Sequence, residues 1–154
     1  MDTKALVLDQ LGRHKEAVEW YDKVLALEPN FIVSLNNKGV ALANLGYYKD
    51  ALKWYDYSLK QIPGDLDMIS NKARILGLEL EYSDALKLLN TNLKINPDHK
   101  GLLCNKAEIL GKMGHKHAAI LLKEKLIELY SDNYKCGYFK KTSLTDIARE
   151  LFVQ

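Results

Sequence analysis

A period of 34 residues constrains this chain more than any other feature. Four columns of residues return in phase along most of its length, and an internal repeat of this size predicts a helical-repeat architecture. The columns hold alanine, leucine, a small residue and proline: Ala17, Ala51, Ala85 and Ala119; Leu8, Leu42, Leu76 and Leu110; Ala5, Gly39, Ala73 and Ala107; Pro29, Pro63 and Pro97.

Within each unit the apolar spacing predicts two helices. Leu35, Gly39 and Leu42 follow i, i+4, i+7, which places them on one helix face, and Pro63 ends the helix that follows. The predicted first helices are 3–11, 32–44, 66–79 and 100–113, and the predicted second helices are 15–28, 48–61, 83–95 and 116–130.

The period, the small residue before a leucine, the alanine that opens the second helix, the aromatic residue four positions later and the closing proline resemble the tetratricopeptide repeat. The resemblance covers residues 1–131. It implies an all-α fold, a right-handed α-solenoid of antiparallel helix pairs in one domain. The implied repeats are a truncated 1–31, then 32–65 and 66–99, and a degenerate 100–133.

The two ends of the chain depart from the repeat. Met1 aligns with Leu35, so either Asp2 caps a short opening helix or the array continues in a larger assembly. Residues 134–154 are predicted to form a connector and a C-terminal capping helix, with partner docking as the alternative. Truncation after Asp132 is therefore expected to cause aggregation or lower the melting temperature. The apolar stripe of that helix is Leu144, Ile147, Ala148, Leu151 and Phe152.

Composition limits the possible binding partners and the cellular compartment of the protein. Twenty-two Lys and Arg against 20 Asp and Glu give a net charge of +2, so electrostatics call for neither nucleic acid nor a membrane. The chain has no apolar run of about 18 residues. Cys104 and Cys136 are too few for a disulfide framework, which favours a reducing compartment and a cytoplasmic protein.

An Asn-Lys pair recurs with the period, and its asparagine points to a binding surface. On a helical wheel Asn37 lies roughly 165° from the apolar stripe of its helix. By resemblance, Asn37, Asn71 and Asn105 line the concave channel of a solenoid, with Thr3 at the matching place. A side-chain amide can pair with both the N–H and the C=O of an extended peptide. The alternative is that duplication copied a solvent-facing polar residue that has no use.

Other side chains are expected near this row. Arg74 is the clear basic candidate among them, so recognition of a C-terminal carboxylate is not expected, and a neutral or mixed peptide fits better. The expected channel residues are Asn36, Val40, Asn44, Asp67, Ser70, Arg74, Cys104, Glu108 and Lys112.

The lysine of each pair is expected to serve the fold. Lys38, Lys72 and Lys106, with Lys4 at the matching place, lie on the flank of the apolar stripe, where a long stem can lie along the neighbouring repeat. Trp20 and Trp54 are interpreted as inter-helix packing. Replacing Asn71 by alanine is accordingly expected to weaken binding and spare the fold, whereas replacing Lys72 should mainly affect stability.

The sequence offers no support for catalysis. It has no glycine-rich phosphate loop, no cofactor motif and no metal motif, since His115 and His117 are spaced too closely for a helical metal pair. We therefore expect a non-enzymatic adaptor that binds a peptide segment of a protein partner. Two alternatives stay open: a scaffold that forms homo-oligomers through its N-terminal repeat, or a regulatory segment of a larger protein.

Overall fold

The computed structural model describes residues 2–130, all of whose regular elements are helices. The predicted connector, capping helix and truncation effect lie outside these residues. The helices are α1 (Asp2–Gln10), α2 (His14–Leu27), α3 (Ile32–Asn44), α4 (Tyr48–Gln61), α5 (Leu66–Leu78), α6 (Tyr82–Ile95), α7 (Lys100–Lys112) and α8 (Lys116–Tyr130).

The helix bounds agree with the sequence-based prediction to within one residue. Residues that end helices explain this agreement. Each second helix of the first three repeats is followed by a proline, which cannot continue a helix. Three of the four first helices are followed by a glycine with a positive φ angle, which is a common helix stop: Gly12, Gly46 and Gly114.

The helices group into two compact units, one ending at Glu81 and the other beginning at Tyr82. In the first unit α1 contacts α2 and α3, and α3 contacts α2, α4 and α5. In the second unit α7 contacts α6 and α8. The predicted repeat 66–99 therefore contributes one helix to each unit, and the division into sequence repeats stays a prediction about the chain.

Consecutive helix pairs of the first unit share their cores. Ala41 of α3 is fully buried in the cluster that α1 and α2 form, which also contains Tyr21. The next cluster joins α3, α4 and α5 through Leu35, Tyr55 and Ile75. A helix pair thus buries one side of the first helix that follows it, which is how repeat proteins build a continuous core.

Gly39 permits a close approach between α3 and α4 in this core. A Cβ atom at this position would lie 2.4 Å from Cζ of the Tyr55 ring, which is fully buried. The Tyr55 hydroxyl passes alongside and donates a hydrogen bond of 3.1 Å to the carbonyl oxygen of Asn36. The small-residue column therefore lets a buried tyrosine reach the backbone of the partner helix.

Leu80 occupies a turn position that the other repeats give to glycine. Gly12, Gly46 and Gly114 have φ angles of 76°, 79° and 83°, and Leu80 has a φ of 64°. The following residue, Glu81, donates its N–H to the carbonyl of Leu76 at 2.9 Å, which closes the same helix-ending turn. Leu80 adopts this left-handed conformation although its side chain is 69% exposed and contributes little burial.

We predict that Leu80→Gly stabilises the protein. A left-handed conformation costs an L-residue about 1–2 kcal/mol, and glycine removes this cost. The greater conformational entropy of glycine in the unfolded chain offsets part of the stabilisation. The free energy of unfolding should rise by about 1 kcal/mol, measured by urea denaturation. Gly46→Ala is the matched control: no atom lies within 4 Å of its added Cβ, so backbone strain alone should lower the free energy of unfolding. A loss of stability in Leu80→Gly would contradict this account.

Candidate functional site

Each first helix of the first unit exposes one stripe of side chains, which we call the first-helix face. Its residues follow i, i+4, i+7, i+11, so those on one helix share a side. None of them is buried. The face comprises Thr3, Leu6 and Gln10 on α1, Val33, Asn37, Val40 and Asn44 on α3, and Asp67, Asn71, Arg74 and Leu78 on α5.

The first-helix face combines apolar and amide groups and carries no net charge. Leu6 is 37% exposed and Val33 is 46% exposed. Asp67 and Arg74 are the charged members of the face as defined, and their charges are opposite. Such a surface suits a neutral ligand with apolar side chains. It lacks the concentrated positive charge that recognition of a carboxylate or a phosphate uses.

Asn37 is a polar residue on the α3 part of this face. Its side chain is half-buried and makes no hydrogen bond to any residue that the structure describes. Val33 and Val40 lie one turn away on either side. The amide therefore offers two donors and an acceptor within a partly apolar setting, where a hydrogen bond is less exposed to competition from water.

Asn71 differs from Asn37 because it is engaged within the protein. Its Nδ2 donates a hydrogen bond of 3.0 Å to Oδ1 of Asn36, which joins α5 to α3. Burial raises the pKa of the neighbouring Tyr55 phenol. The premise that Asn71 makes no contact within the fold is therefore wrong, because its amide links two repeats. The effect of replacing it stays a prediction.

Ser70 and Cys104 were expected beside the asparagine row, and the structure buries both. Each side chain is only 7% exposed. Each residue precedes an asparagine, and a rotation of about 100° per residue turns its side chain off the exposed stripe. The expectation of reduced cysteines stays a prediction, because Cys136 lies outside the described residues.

The corresponding stripe of α7 belongs to the second unit and is more polar. Asn105 is half-buried on it. Glu108 and Lys112 form an ion pair of 2.8 Å one turn apart, so each neutralises the other. The continuous row of Asn37, Asn71 and Asn105 would require both units, and it stays a prediction.

Two lysines of the Asn-Lys pairs, Lys38 and Lys72, link consecutive repeats of the first unit, as expected. The Lys38 ammonium lies 2.5 Å from a carboxylate oxygen of Asp22 on α2. It also lies 3.6 Å from the centroid of the Trp54 ring on α4. Lys72 repeats the ion pair with Asp56 of α4, again at 2.5 Å.

Trp54 packs between helices, as the sequence predicted. Its indole Nε1 donates a hydrogen bond of 2.9 Å to the carbonyl oxygen of Leu35, and its ring centroid lies 5.4 Å from that of Tyr57. The sequence analysis missed the acidic partners of the lysines. The signal was present, because Asp22 and Asp56 stand 34 residues apart and each precedes its lysine by 16 residues.

Among residues 2–130 no group of three or more His, Cys, Asp and Glu side chains is arranged to hold a metal ion. His14 pairs with Asp9, with 2.6 Å between Nδ1 and Oδ1. No helix in this part of the chain is long and apolar enough to cross a bilayer.

Comparisons with known proteins bear on the fold. The tetratricopeptide repeat family model matches residues 1–31. No curated protein matches the chain. A structure of MamA from Desulfovibrio magneticus RS-1, which begins at its residue 41, is 22% identical to this chain. The TM-score is 0.69 over 85% of this chain and 74% of that one.

Two further solved structures are similar. A thermophilic TPR protein from Thermus thermophilus is 18% identical, with a TM-score of 0.72 over 83% of this chain and 72% of that one. YrrB, described as a TPR protein with an unusual peptide-binding site, is 18% identical, with a TM-score of 0.61 over 84% and 66%. These likenesses establish the fold as that of the tetratricopeptide-repeat proteins.

We predict that Lys38→Met destabilises the protein while keeping most of the side-chain stem. The change removes an ion pair and a cation–π contact made by an ammonium whose side chain is only 13% exposed. Together these interactions contribute about 1–2 kcal/mol. Chemical denaturation should show this loss in the free energy of unfolding.

Lys53→Met is the matched control. Lys53 lies 3.8 Å from Asp50 and is 80% exposed, so its replacement should change the free energy of unfolding by less than about 0.5 kcal/mol. Equal effects of the two substitutions would mean that the Lys38 contacts do not join the repeats.

Proposed function

We propose that this chain, which has the fold of the tetratricopeptide-repeat proteins, is a protein–protein interaction adaptor that binds an extended peptide segment of a partner along its first-helix face. The observation that carries the proposal is the state of Asn37. Its amide is half-buried and has no hydrogen-bond partner among the described residues, while the equivalent Asn71 is used inside the fold. A polar group held in this way favours a ligand that completes its hydrogen bonds.

The backbone of an extended peptide has the complementary chemistry. One peptide unit presents an N–H donor and a C=O acceptor, and a single side-chain amide can satisfy both. Asparagine in a helix interior also costs about 0.5 kcal/mol relative to alanine. Binding offers a physical reason to retain it at an accessible position.

The helix spacing sets how such a peptide would lie. Packed helices are about 8–10 Å apart, and an extended chain rises about 3.3 Å per residue. A peptide crossing α1, α3 and α5 would therefore meet a new helix at about every third residue. Intervening ligand side chains would contact Leu6, Val33 and Val40, which favours apolar residues there.

The charge of the face limits the class of peptide. Asp67 and Arg74 cancel, so a strongly acidic or strongly basic segment gains little. YrrB shares the fold and is described as having an unusual peptide-binding site, which supports a peptide as the class of ligand. Selection of peptides with the protein itself would show which sequences a partner must carry.

Asn37→Ala tests the proposal. Peptides are first selected with the wild-type protein from a random library of 12-residue peptides, and their affinities are then measured by isothermal titration calorimetry. The variant should bind at least fivefold more weakly, because an unpaired buried ligand group costs about 1–3 kcal/mol. The loss should recur across peptides of different sequence, because the amide contacts the ligand backbone.

Asn90→Ala provides the control. Asn90 is an exposed helical residue of α6 and lies off the first-helix face. Both variants should retain or slightly raise the melting temperature, since alanine is the better helix former. Unchanged peptide affinity in Asn37→Ala, or an equal loss in Asn90→Ala, would show that the first-helix face is not the binding surface.

A further inference from the structure

A cleft of about 240 Å³ lies between the start of α4 and the residue that follows α5. Its lining residues all belong to the first unit, and none of them is part of the first-helix face. The cleft is therefore a second candidate site, which we call the turn cleft. It is lined by Gly46, Tyr47, Tyr48, Lys49, Asp50 and Glu79.

Two tyrosines give the turn cleft an aromatic lining. Tyr47 is 48% exposed. Tyr48 is half-buried and packs against the cluster that joins α3, α4 and α5, so its ring is held by the core. The faces of aromatic rings attract cations, and a planar guanidinium can also stack on them.

The side chains of the turn cleft carry a net negative charge. Among the lining residues, the carboxylates of Asp50 and Glu79 are opposed by the ammonium of Lys49. The positive end of α4 and the negative end of α5 both adjoin the cleft, so the two helix dipoles favour opposite signs. Glu79 is half-buried, and its carboxylate forms no ion pair with any residue that the structure describes. A cationic ligand therefore complements the cleft.

Glu79 distinguishes this turn from the equivalent turns of the chain. The equivalent residues are all apolar: Leu11, Leu45 and Met113. By contrast, an acid recurs in the first turn of the second helix as Glu16, Asp50 and Asp84. Asp50 alone would therefore indicate only a favourable contact with a helix dipole. The cleft adds a second carboxylate that the repeat does not require.

The preceding turn shows which group its acid binds. Arg13 stands in the place of Tyr47, and Glu16 stands in the place of Asp50. Two nitrogens of the Arg13 guanidinium each donate a hydrogen bond of 2.6 Å to the Glu16 carboxylate. At the turn cleft a tyrosine replaces this arginine, so the chain supplies no equivalent guanidinium there.

We propose that the turn cleft binds the guanidinium group of an arginine side chain from a partner protein. The carboxylates of Asp50 and Glu79 accept its N–H groups, and the ring of Tyr47 stacks on its plane. Charge complementarity and the internal example of Arg13 select this ligand. A guanidinium donates several hydrogen bonds in one plane and stacks on aromatic rings, which favours arginine over lysine.

A titration with a short peptide tests the proposal. The probe is the tripeptide Gly-Arg-Gly with an acetylated N-terminus and an amidated C-terminus, added to the ¹⁵N-labelled full-length chain. The backbone amide signals of Gly46 and Glu79 should shift saturably. A second probe carries citrulline, a neutral isostere, in place of arginine. It should bind at least about fivefold more weakly, because it lacks the charge.

Four variants locate the binding site. Glu79→Gln should weaken binding of the arginine probe by about fivefold or more, whereas Glu19→Gln, the same change at an exposed position of α2, should leave it unchanged. Tyr47→Arg restores the arrangement of Arg13 and should abolish binding, because the chain's own guanidinium then pairs with Asp50. Tyr47→Phe keeps the aromatic ring and should bind within about twofold of the wild type.

Several results would overturn the proposal. They are no saturable shift with the arginine probe, equal binding of the citrulline probe, and equal effects of Glu79→Gln and Glu19→Gln. Binding of inorganic phosphate that shifts the same signals and is lost in Lys49→Met would assign the cleft to an anion instead. Asn37→Ala should bind the arginine probe as the wild type does, so failure here is distinguishable from failure of peptide binding on the first-helix face.

Discussion

Packing of each first helix against the preceding helix pair is the constraint on which the rest of the first unit depends. In α3, Ala41 is buried against that pair, and Gly39 is in close contact with Tyr55 of α4. Asn36 accepts a hydrogen bond from Asn71 of α5. Three sides of α3 thus contact neighbouring helices. The remaining stripe with Asn37 is left accessible, so the repeat architecture itself creates the candidate binding surface.

The same constraint explains why asparagine and lysine recur as a pair. Adjacent helical residues differ by about 100° in direction, so Lys38 turns toward the preceding helix while Asn37 stays on the open stripe. The lysine contributes to the joint between repeats, and the asparagine adjoins the surface that the joint leaves open. Asn71 shows that one such asparagine can be drawn into the fold when the neighbouring helix offers an acceptor.

Sequence reasoning succeeded where the physics is local or strictly periodic. Proline, glycine and the apolar period placed the helices, and a helical wheel placed Asn37 on an accessible stripe. It failed where the outcome depends on contacts between helices: the burial of Ser70 and the hydrogen bond between Asn71 and Asn36. Contacts of this kind are set by the relative placement of helices, which a residue's own spacing does not specify.

Nuclear magnetic resonance mapping of a selected peptide on the labelled protein tests the central claim most directly. The account predicts that the side-chain amide signals of Asn37 and the methyl signals of Val33 and Val40 shift as the peptide is added. The methyl signals of Val7, which lies on α1 outside the first-helix face, should stay in place. Shifts confined to Val7 and its neighbours, with the Asn37 amide unchanged at saturation, would contradict the account.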